Sequence, residues 1–190
     1  MSLTSTDSPV TSSGPVAGRC PDRLIRAVRA QVRQGLSWPE TAGHVVSTLR
    51  GILPEPGDLL PAPLRAGDPA CYQSHLLHAE PDGSFSIAAM VWRPGQQTVI
   101  HDHVAWCVTA VLQGCEYEEI FALTDSGRAL LRVAAAASPP GSVSGFAPPG
   151  DIHRVHNTGD GVAISMHVYG ADISRLGTSI RREYDLPVRL

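Results

Sequence analysis

The sequence contains no lysine, and all 15 of its basic residues are arginines. With 18 acidic residues the net charge is −3, which argues against a surface built for nucleic acids or anionic membranes. No apolar run approaches the roughly 20 residues of a membrane-spanning helix, and the N-terminus lacks the basic and apolar segments of a secretion signal. The four cysteines form no CxxC pair and no small disulfide framework. These absences predict a cytoplasmic protein that binds neither nucleic acid nor membrane.

The 190 residues are enough for one domain with a sizeable core. Residues 1–20 are rich in Ser, Thr, Pro and Gly, which predicts a disordered tail. Helical periodicity over 22–52 predicts two helices, with Asp22 and Ser37 as candidate caps. Residues 53–69 contain five prolines and no periodicity, so a connecting loop is expected there.

From residue 70 the pattern changes to short β-like runs that are separated by turn residues. Turn signals recur at 81–83, which reads Pro-Asp-Gly, and at 125–127, which reads Asp-Ser-Gly. Evenly spaced short strands predict a mainly β fold, a barrel or double-sheet jelly roll, over 70–170. Residues 171–190 are expected to cover one end of the barrel, so that a single domain spans 21–190.

Two histidines stand one residue apart in a β-branched run, GQQTVIHDHVAWCVTAVLQG. Residues i and i+2 of a strand point to the same face, so His101 and His103 would direct both imidazoles at one point. A metal ion requires this of its first two ligands. The alternative is an exposed pair on an ordinary solvated face, and the surrounding residues argue against it.

Those surroundings resemble the first motif of the cupins, small β-barrels that hold a metal ion inside. Gly95 and Gly114 flank the histidine pair at the cupin spacing, and Cys107 stands where that motif has a glutamate. The second cupin motif is matched by Pro148, Gly150, His153 and Asn157. The resemblance implies a cupin fold, a double-stranded β-helix or jelly-roll barrel with two N-terminal helices, and His153 as the third metal ligand.

The implied ligand set has no carboxylate, because Cys107 occupies the place of the glutamate. Three neutral imidazoles would leave a divalent ion its full charge and open positions for a thiolate and O2. Imidazole suits Fe, Zn, Cu and Ni alike, so the residues alone do not select the metal. The remaining histidines outside the motifs are interpreted as structural, and these are His44, His75, His78 and His156.

A second group of polar residues lies further along the chain, where Ser165, His167 and Tyr169 share one strand face. If that face lines the barrel, the three side chains can relay hydrogen bonds. In the alternative arrangement, the apolar residues between them face the interior, and Ser165, His167 and Tyr169 are ordinary polar residues on the outer face of the strand. Three histidines without a glutamate, followed by Ser-x-His-x-Tyr, resemble the cysteine dioxygenase family of thiol dioxygenases over roughly residues 70–170.

This resemblance implies one Fe(II) per chain, held by the three histidines, with Ni or another divalent metal as the alternative. The substrate thiolate and O2 would meet there and give a sulfinic acid, and Ser165, His167 and Tyr169 would form the network around the iron. In some family members a cysteine at the position of Cys107 forms a thioether with the active-site tyrosine. A Cys107–Tyr169 crosslink is therefore one interpretation, and a small buried apolar side chain is the other.

The expected substrate anchor departs from the family pattern. Cysteine dioxygenases carry Arg, and 3-mercaptopropionate dioxygenases Gln, two residues after a tyrosine on an early strand. Here that tyrosine is Tyr72 and the anchor position is Ser74, which cannot make the bidentate contact of Arg with a carboxylate. By resemblance to bacterial relatives of the mercaptopropionate type, Arg181 or Arg182 is expected to supply the charge.

The sequence therefore predicts a thiol dioxygenase acting on cysteine or a close small thiol carboxylate, as a monomer or small homo-oligomer. A 3-mercaptopropionate dioxygenase and a cupin of specialised metabolism that forms a different sulfur product are the enzymatic alternatives. A non-catalytic cupin that binds a metal or small ligand is the alternative from another class.

Overall fold

Residues 18–189, which the computed structural model describes, form a mainly β fold with few helices. The helices are α1 Asp22–Val32, α2 Trp38–Leu49, α3 Pro56–Leu59, α4 Ala62–Arg65 and α5 Ile173–Leu176. The strands are β1 Gln73–Ala79, β2 Ser86–Trp92, β3 His101–His103, β4 Cys107–Gln113, β5 Glu116–Leu123, β6 Leu130–Ser138, β7 Val143–Phe146, β8 His153–Asn157, β9 Ala163–Tyr169, β10 Ile180–Glu183 and β11 Val188–Arg189. No helix of this range is long and apolar enough to cross a membrane.

The strands form two sheets that enclose the interior of the molecule. The first sheet has the order β1-β2-β9-β4-β7 and the second the order β10-β3-β8-β5-β6-β11. Neighbouring strands run antiparallel, except that β11 joins β6 in parallel. The predicted cupin fold is confirmed by this arrangement.

Strands β2 and β9 lie in the middle of the first sheet and are buried over their full length. Because side chains alternate across a sheet, each strand presents one set to the helices and another to the interior. The apolar residues of β9 between its polar ones belong to the core on the helical side, namely Ile164, Met166 and Val168. The Ser165–His167–Tyr169 row therefore faces the interior of the barrel.

The helical side of this core is built by α1 and α2. Leu24 and Val28 of α1 are buried one helical turn apart, as are Val45 and Leu49 of α2. Ser37 caps α2 as predicted, and its backbone N–H and hydroxyl both donate to the Glu40 carboxylate. Asp22 is instead the first helical residue of α1, because Pro21 takes the capping position.

Three stretches outside the barrel differ in detail from the sequence-based expectation. Residues 1–17 of the predicted tail lie outside the described residues, whereas 18–20 belong to the packed structure, since Cys20 is buried in the core. The predicted loop 53–69 contains the one-turn helices α3 and α4. The C-terminal segment contributes β10 and β11, which extend the two edges of the second sheet.

Candidate metal centre

Three buried histidines meet in the interior between the two sheets. His101 and His103 are the ends of the short strand β3, and His101 pairs directly with His153 on the neighbouring strand β8. One ring nitrogen from each histidine lies within 4.8 Å of those from the other two. The structure thus brings the three predicted ligands to one point.

The second ring nitrogen of each histidine is held by an acceptor. Nδ1 lies 2.9 Å from the Val99 carbonyl oxygen in His101, 3.1 Å from Asp151 Oδ2 in His103, and 2.6 Å from Glu118 Oε1 in His153. A neutral imidazole that donates from Nδ1 keeps its Nε2 lone pair for another partner. Three Nε2 lone pairs can therefore converge, and this donor set fits a divalent transition metal.

The protonation state of the cluster suits the same purpose. Burial lowers the pKa of His101 well below its ordinary value, and the neighbouring His153 and His103 lower it further. Burial also lowers the pKa of His103, although its hydrogen bond to Asp151 acts in the opposite direction. Since a ligand nitrogen must be free of its proton, these shifts keep the site ready for a metal ion at neutral pH.

The Ser165–His167–Tyr169 row forms a hydrogen-bonded network beside the histidine cluster. Ser165 Oγ lies 2.9 Å from His167 Nε2, and the Tyr169 hydroxyl lies 3.3 Å from His167 Nδ1. Trp92 Nε1 donates to Ser165 Oγ at 3.2 Å, and Thr109 Oγ1 lies 3.4 Å from His167 Nδ1. The row therefore ends in a phenol that lines the interior cavity.

Burial sets the charge of this network. It lowers the pKa of His167 to about 3, with the nearby His103 and His153 contributing in the same direction, and it raises the pKa of Tyr169 well above its ordinary value. The imidazole and the phenol are therefore both neutral at pH 7. A neutral row can accept and donate hydrogen bonds in either direction along its length.

Cys107 lies opposite Tyr169 in the register of β4 with β9. The thiol is fully buried, its sulfur lies 4.0 Å from His167 Nδ1, and burial raises the pKa of the thiol. Both side chains belong to one small apolar cluster with Ala88 and Ile173. This neighbourhood allows both the buried apolar side chain and the crosslink with Tyr169, and the crosslink stays a prediction.

A cavity of about 690 Å³, measured with its open mouth, lies over the histidine cluster. Tyr72 and Ser74 line it, as the sequence predicts for an anchor region, and the Tyr72 ring stacks on Trp92 at 4.4 Å between centroids. The C-terminal part of the chain contributes Ile173 and residues 178–180 to the wall of the cavity.

The predicted cationic anchors lie outside this cavity. Arg181 binds the buried carboxylate of Asp102, which also accepts a hydrogen bond of 2.9 Å from the Tyr184 hydroxyl. The Arg182 guanidinium stacks on the Tyr184 ring at 4.7 Å. Neither arginine lines the cavity, and the role of one of them as the anchor of a substrate carboxylate stays a prediction.

Several acidic residues of the site were not predicted from the sequence. Asp151 and Glu118 hold two of the three histidines, and Glu116 is buried beside Ser165 and Trp92, with burial raising its pKa to about 7. The available signal was the alternation of Glu116 and Glu118 with other residues on a strand, which sets both carboxylates on one face. Their partners lie more than 20 positions away in the chain, beyond the reach of local pattern.

The remaining histidines lie outside the cluster, as the sequence interpretation expected. His78 lies 2.9 Å from Glu80, His156 lies 3.8 Å from Glu119, and burial lowers the pKa of His75. His44 is exposed on α2.

Comparison with known proteins finds one matching family model and several similar solved structures. The model of the family described as cysteine dioxygenase type I matches residues 66–178. An oxalate oxidase in complex with the substrate analogue glycolate is 22% identical with a TM-score of 0.39, over 46% of this chain and 42% of that chain. A Cupin 2 conserved barrel domain protein from Salinispora arenicola CNS-205 is 21% identical with a TM-score of 0.41, over 54% and 78%.

The Cnp3 cupin domain of Schizosaccharomyces pombe is 14% identical with a TM-score of 0.42, over 56% of this chain and 67% of that chain. The chain spans about half the length of the oxalate oxidase chains that it matches, 42% and 54% in two of them. At identities of 14–22% these likenesses concern the fold alone.

Proposed function

The chain belongs to the cysteine dioxygenase type I family, and from this premise we propose that it is a metal-dependent dioxygenase of small thiols. The observation that carries the proposal is the convergence of three buried imidazoles whose other nitrogens are already held. Such a site offers a divalent metal three neutral ligands and leaves it open toward the cavity.

The metal proposed is Fe(II), one per chain, with His101, His103 and His153 as its ligands. Iron supplies the redox chemistry by which a thiol and O2 react, since O2 does not attack a thiol at a useful rate by itself. In the overall reaction R–SH and O2 give R–SO2H. The sulfur is oxidised, O2 is reduced, and both oxygen atoms remain in the product.

The residues of the chain prepare this reaction from the cavity side. The neutral Tyr169 phenol ends the row from Ser165 and can donate a hydrogen bond to a group bound over the histidines. His167 Nδ1 lies 3.3 Å from the Tyr169 oxygen, and the low pKa of His167 keeps this imidazole neutral. In the tautomer with the proton on Nδ1, His167 donates to the phenol oxygen and leaves the phenol O–H for the bound group. Buried apolar neighbours such as Met90 limit the access of water.

The finer prediction, cysteine or another small thiol carboxylate, depends on a cation that would pair with the acid. Ser74 stands at the anchor position, and its hydroxyl offers a neutral hydrogen bond of about 1 kcal/mol against roughly 1.5–3 kcal/mol for a bond to a charged group. Cysteine and 3-mercaptopropionate are therefore the reference substrates of the test. Ser74 also departs from the Arg or Gln that the family carries at this position. This departure favours a second candidate function, oxidation of the thiol to a sulfur product other than the sulfinic acid.

The proposal is tested with protein that is loaded with Fe(II) without oxygen and then mixed with a panel of thiols in air. We expect O2 uptake, a sulfinic acid by mass spectrometry, and one iron per chain by elemental analysis. His153→Ala should lose both the iron and the turnover, whereas the matched His156→Ala should keep both. Absence of O2 uptake with every thiol, or a different oxidised product, would contradict the proposed reaction.

A further inference from the structure

The cavity over the histidine cluster has no charged side chain in its wall. Among residues 18–189, the wall consists of histidines, apolar residues and hydroxyl-bearing residues, without Arg, Asp or Glu. All 15 arginines of the chain lie within this described range, and lysine does not occur in the sequence. Residues outside the described range therefore contribute no Arg or Lys side chain to this wall.

The two arginines that follow the cavity residue Ile180 already have partners. Arg181 neutralises Asp102, whose side chain is 1% exposed, and moving it into the cavity would leave that carboxylate without its ion pair. An unpaired buried charge is costly, so this exchange is unfavourable. Arg182 lies over the Tyr184 ring on the same edge of the molecule.

The polar side chains that line the cavity besides the histidines are neutral. Ser74 on β1 and Ser179 before β10 contribute hydroxyls, and the Thr98 hydroxyl accepts a hydrogen bond of 3.1 Å from the Val155 N–H. Between them lie apolar side chains such as Met90 and Ile180. A wall of this kind can solvate an amide or a hydroxyl, and it leaves a carboxylate or an ammonium without a counter-charge.

From this wall we propose that the site selects small thiols whose far end is uncharged, either apolar or carrying one amide or hydroxyl group. This inference rests on the proposed thiol oxidation and names its substrate class. The thiol end lies over the histidines, and the uncharged end contacts Ser74, Ser179 and the apolar residues around them. Thiols with a free carboxylate are poor substrates because the acid, at the end away from the metal, is desolvated without a side-chain cation beside it.

The test compares 3-mercaptopropionamide with 3-mercaptopropionate, which differ only in the replacement of the carboxylate by an amide. Fe(II)-loaded protein is titrated with each thiol without oxygen by calorimetry, and kcat/KM is then measured in air from O2 uptake. We expect the amide to bind at least tenfold more tightly, about 1.4 kcal/mol, and to have the higher kcat/KM. Equal or tighter binding of the carboxylate would overturn the inference.

A substitution in the wall provides the converse test. Ser74→Arg introduces a guanidinium at the cavity, and it should shift the ratio of the two binding constants at least tenfold toward the carboxylate. Ser126→Arg adds the same charge on an exposed turn and should leave the ratio unchanged. Circular dichroism and iron content show whether each variant is folded. A folded Ser74→Arg protein with an unchanged ratio would contradict the assigned position of the thiol's far end.

The two arms separate this inference from the proposed function. If no thiol is oxidised and the amide still binds more tightly, the reaction is wrong and the uncharged class is supported. If sulfinic acid forms but the carboxylate binds and reacts better, the reaction is supported and the uncharged class is overturned.

Discussion

At the scale of single residues, the site depends on hydrogen bonds that fix the direction of each imidazole. The three histidines use three different acceptors for Nδ1, a backbone carbonyl and two carboxylates. An outer partner of this kind orients a ligand and raises its basicity, and its loss commonly lowers metal affinity about 10–100-fold. The ligands and their partners therefore act as one unit.

Glu118→Ala tests this unit through metal affinity. The change removes the acceptor of His153 Nδ1 and leaves the ligand itself in place. We expect iron affinity, measured by competition with a chelator, to fall by about 10–100-fold. The matched Glu183→Ala removes an exposed carboxylate from β10 and should bind iron as the unchanged protein does. Equal affinities in the two variants would show that Glu118 does not support the ligand.

Tyr169→Phe tests the phenol at the end of the hydrogen-bonded row. The variant keeps the ring and loses the hydroxyl that lies 3.3 Å from His167 Nδ1. Iron content should stay at one per chain, while kcat should fall at least tenfold. The upper bound is the roughly 10²–10⁴-fold contribution of a group that transfers a proton. Tyr117→Phe, on a ring that packs against His156, is the control. An unchanged kcat in Tyr169→Phe would remove the phenol from the mechanism.

Glu116→Gln tests the buried carboxyl beside the row through the pH dependence of stability. Burial raises the pKa of Glu116 to about 7 from an ordinary 4.5, so the unfolded chain releases this proton at lower pH than the folded chain. The contribution of Glu116 to the free energy of unfolding is therefore fully present below about pH 4.5. It declines as pH rises to about 7, by an amount on the order of 3 kcal/mol.

Because Gln does not titrate, the difference in free energy of unfolding between Glu116→Gln and the unchanged protein should move in favour of the variant between pH 5 and pH 8. Urea denaturation at both pH values measures it. The same difference at both values would mean that the carboxyl is not buried in its protonated form.

At the scale of secondary-structure elements, the short strand β3 has a different task on each side. Its two histidines point to the cavity, and Asp102 between them points to the opposite side. There the Asp102 carboxylate meets Arg181 and Tyr184 of the C-terminal segment. This contact binds β10 to β3. It involves Arg181, one of the two arginines that the sequence analysis expected to pair with the substrate carboxylate.

Arg181→Ala distinguishes the structural task from an anchoring task. Loss of the guanidinium leaves the buried Asp102 carboxylate with the Tyr184 hydroxyl as its remaining partner, so the melting temperature should fall. KM for the best thiol should change less than twofold, since Arg181 does not line the cavity. Arg182→Ala, which removes only the stacking over Tyr184, should lower the melting temperature less. A tenfold rise in KM with an unchanged melting temperature would restore the anchoring task.

At the scale of the whole molecule, local periodicity predicted the barrel and the pair of His101 and His103, and the resemblance to the cupin motifs added His153 as the third ligand. Parity on β9 predicted that Ser165, His167 and Tyr169 share a face, but which face they occupy depends on where α1 and α2 pack. The pairing of β10 with β3 joins residues about 80 positions apart, as in Glu183 with His101. No local pattern carries that information, so the contacts of Arg181 with Asp102 and of Arg182 with Tyr184 could not be predicted from the sequence.

The measurement that tests the central claim most directly is the reaction of the Fe(II)-loaded protein with its best thiol under ¹⁸O2. A dioxygenase on this three-histidine site should give a sulfinic acid in which both oxygen atoms are ¹⁸O, seen by mass spectrometry, and His153→Ala should give none. A disulfide as the only oxidised product, or a sulfinic acid whose oxygens come from water, would contradict the claim.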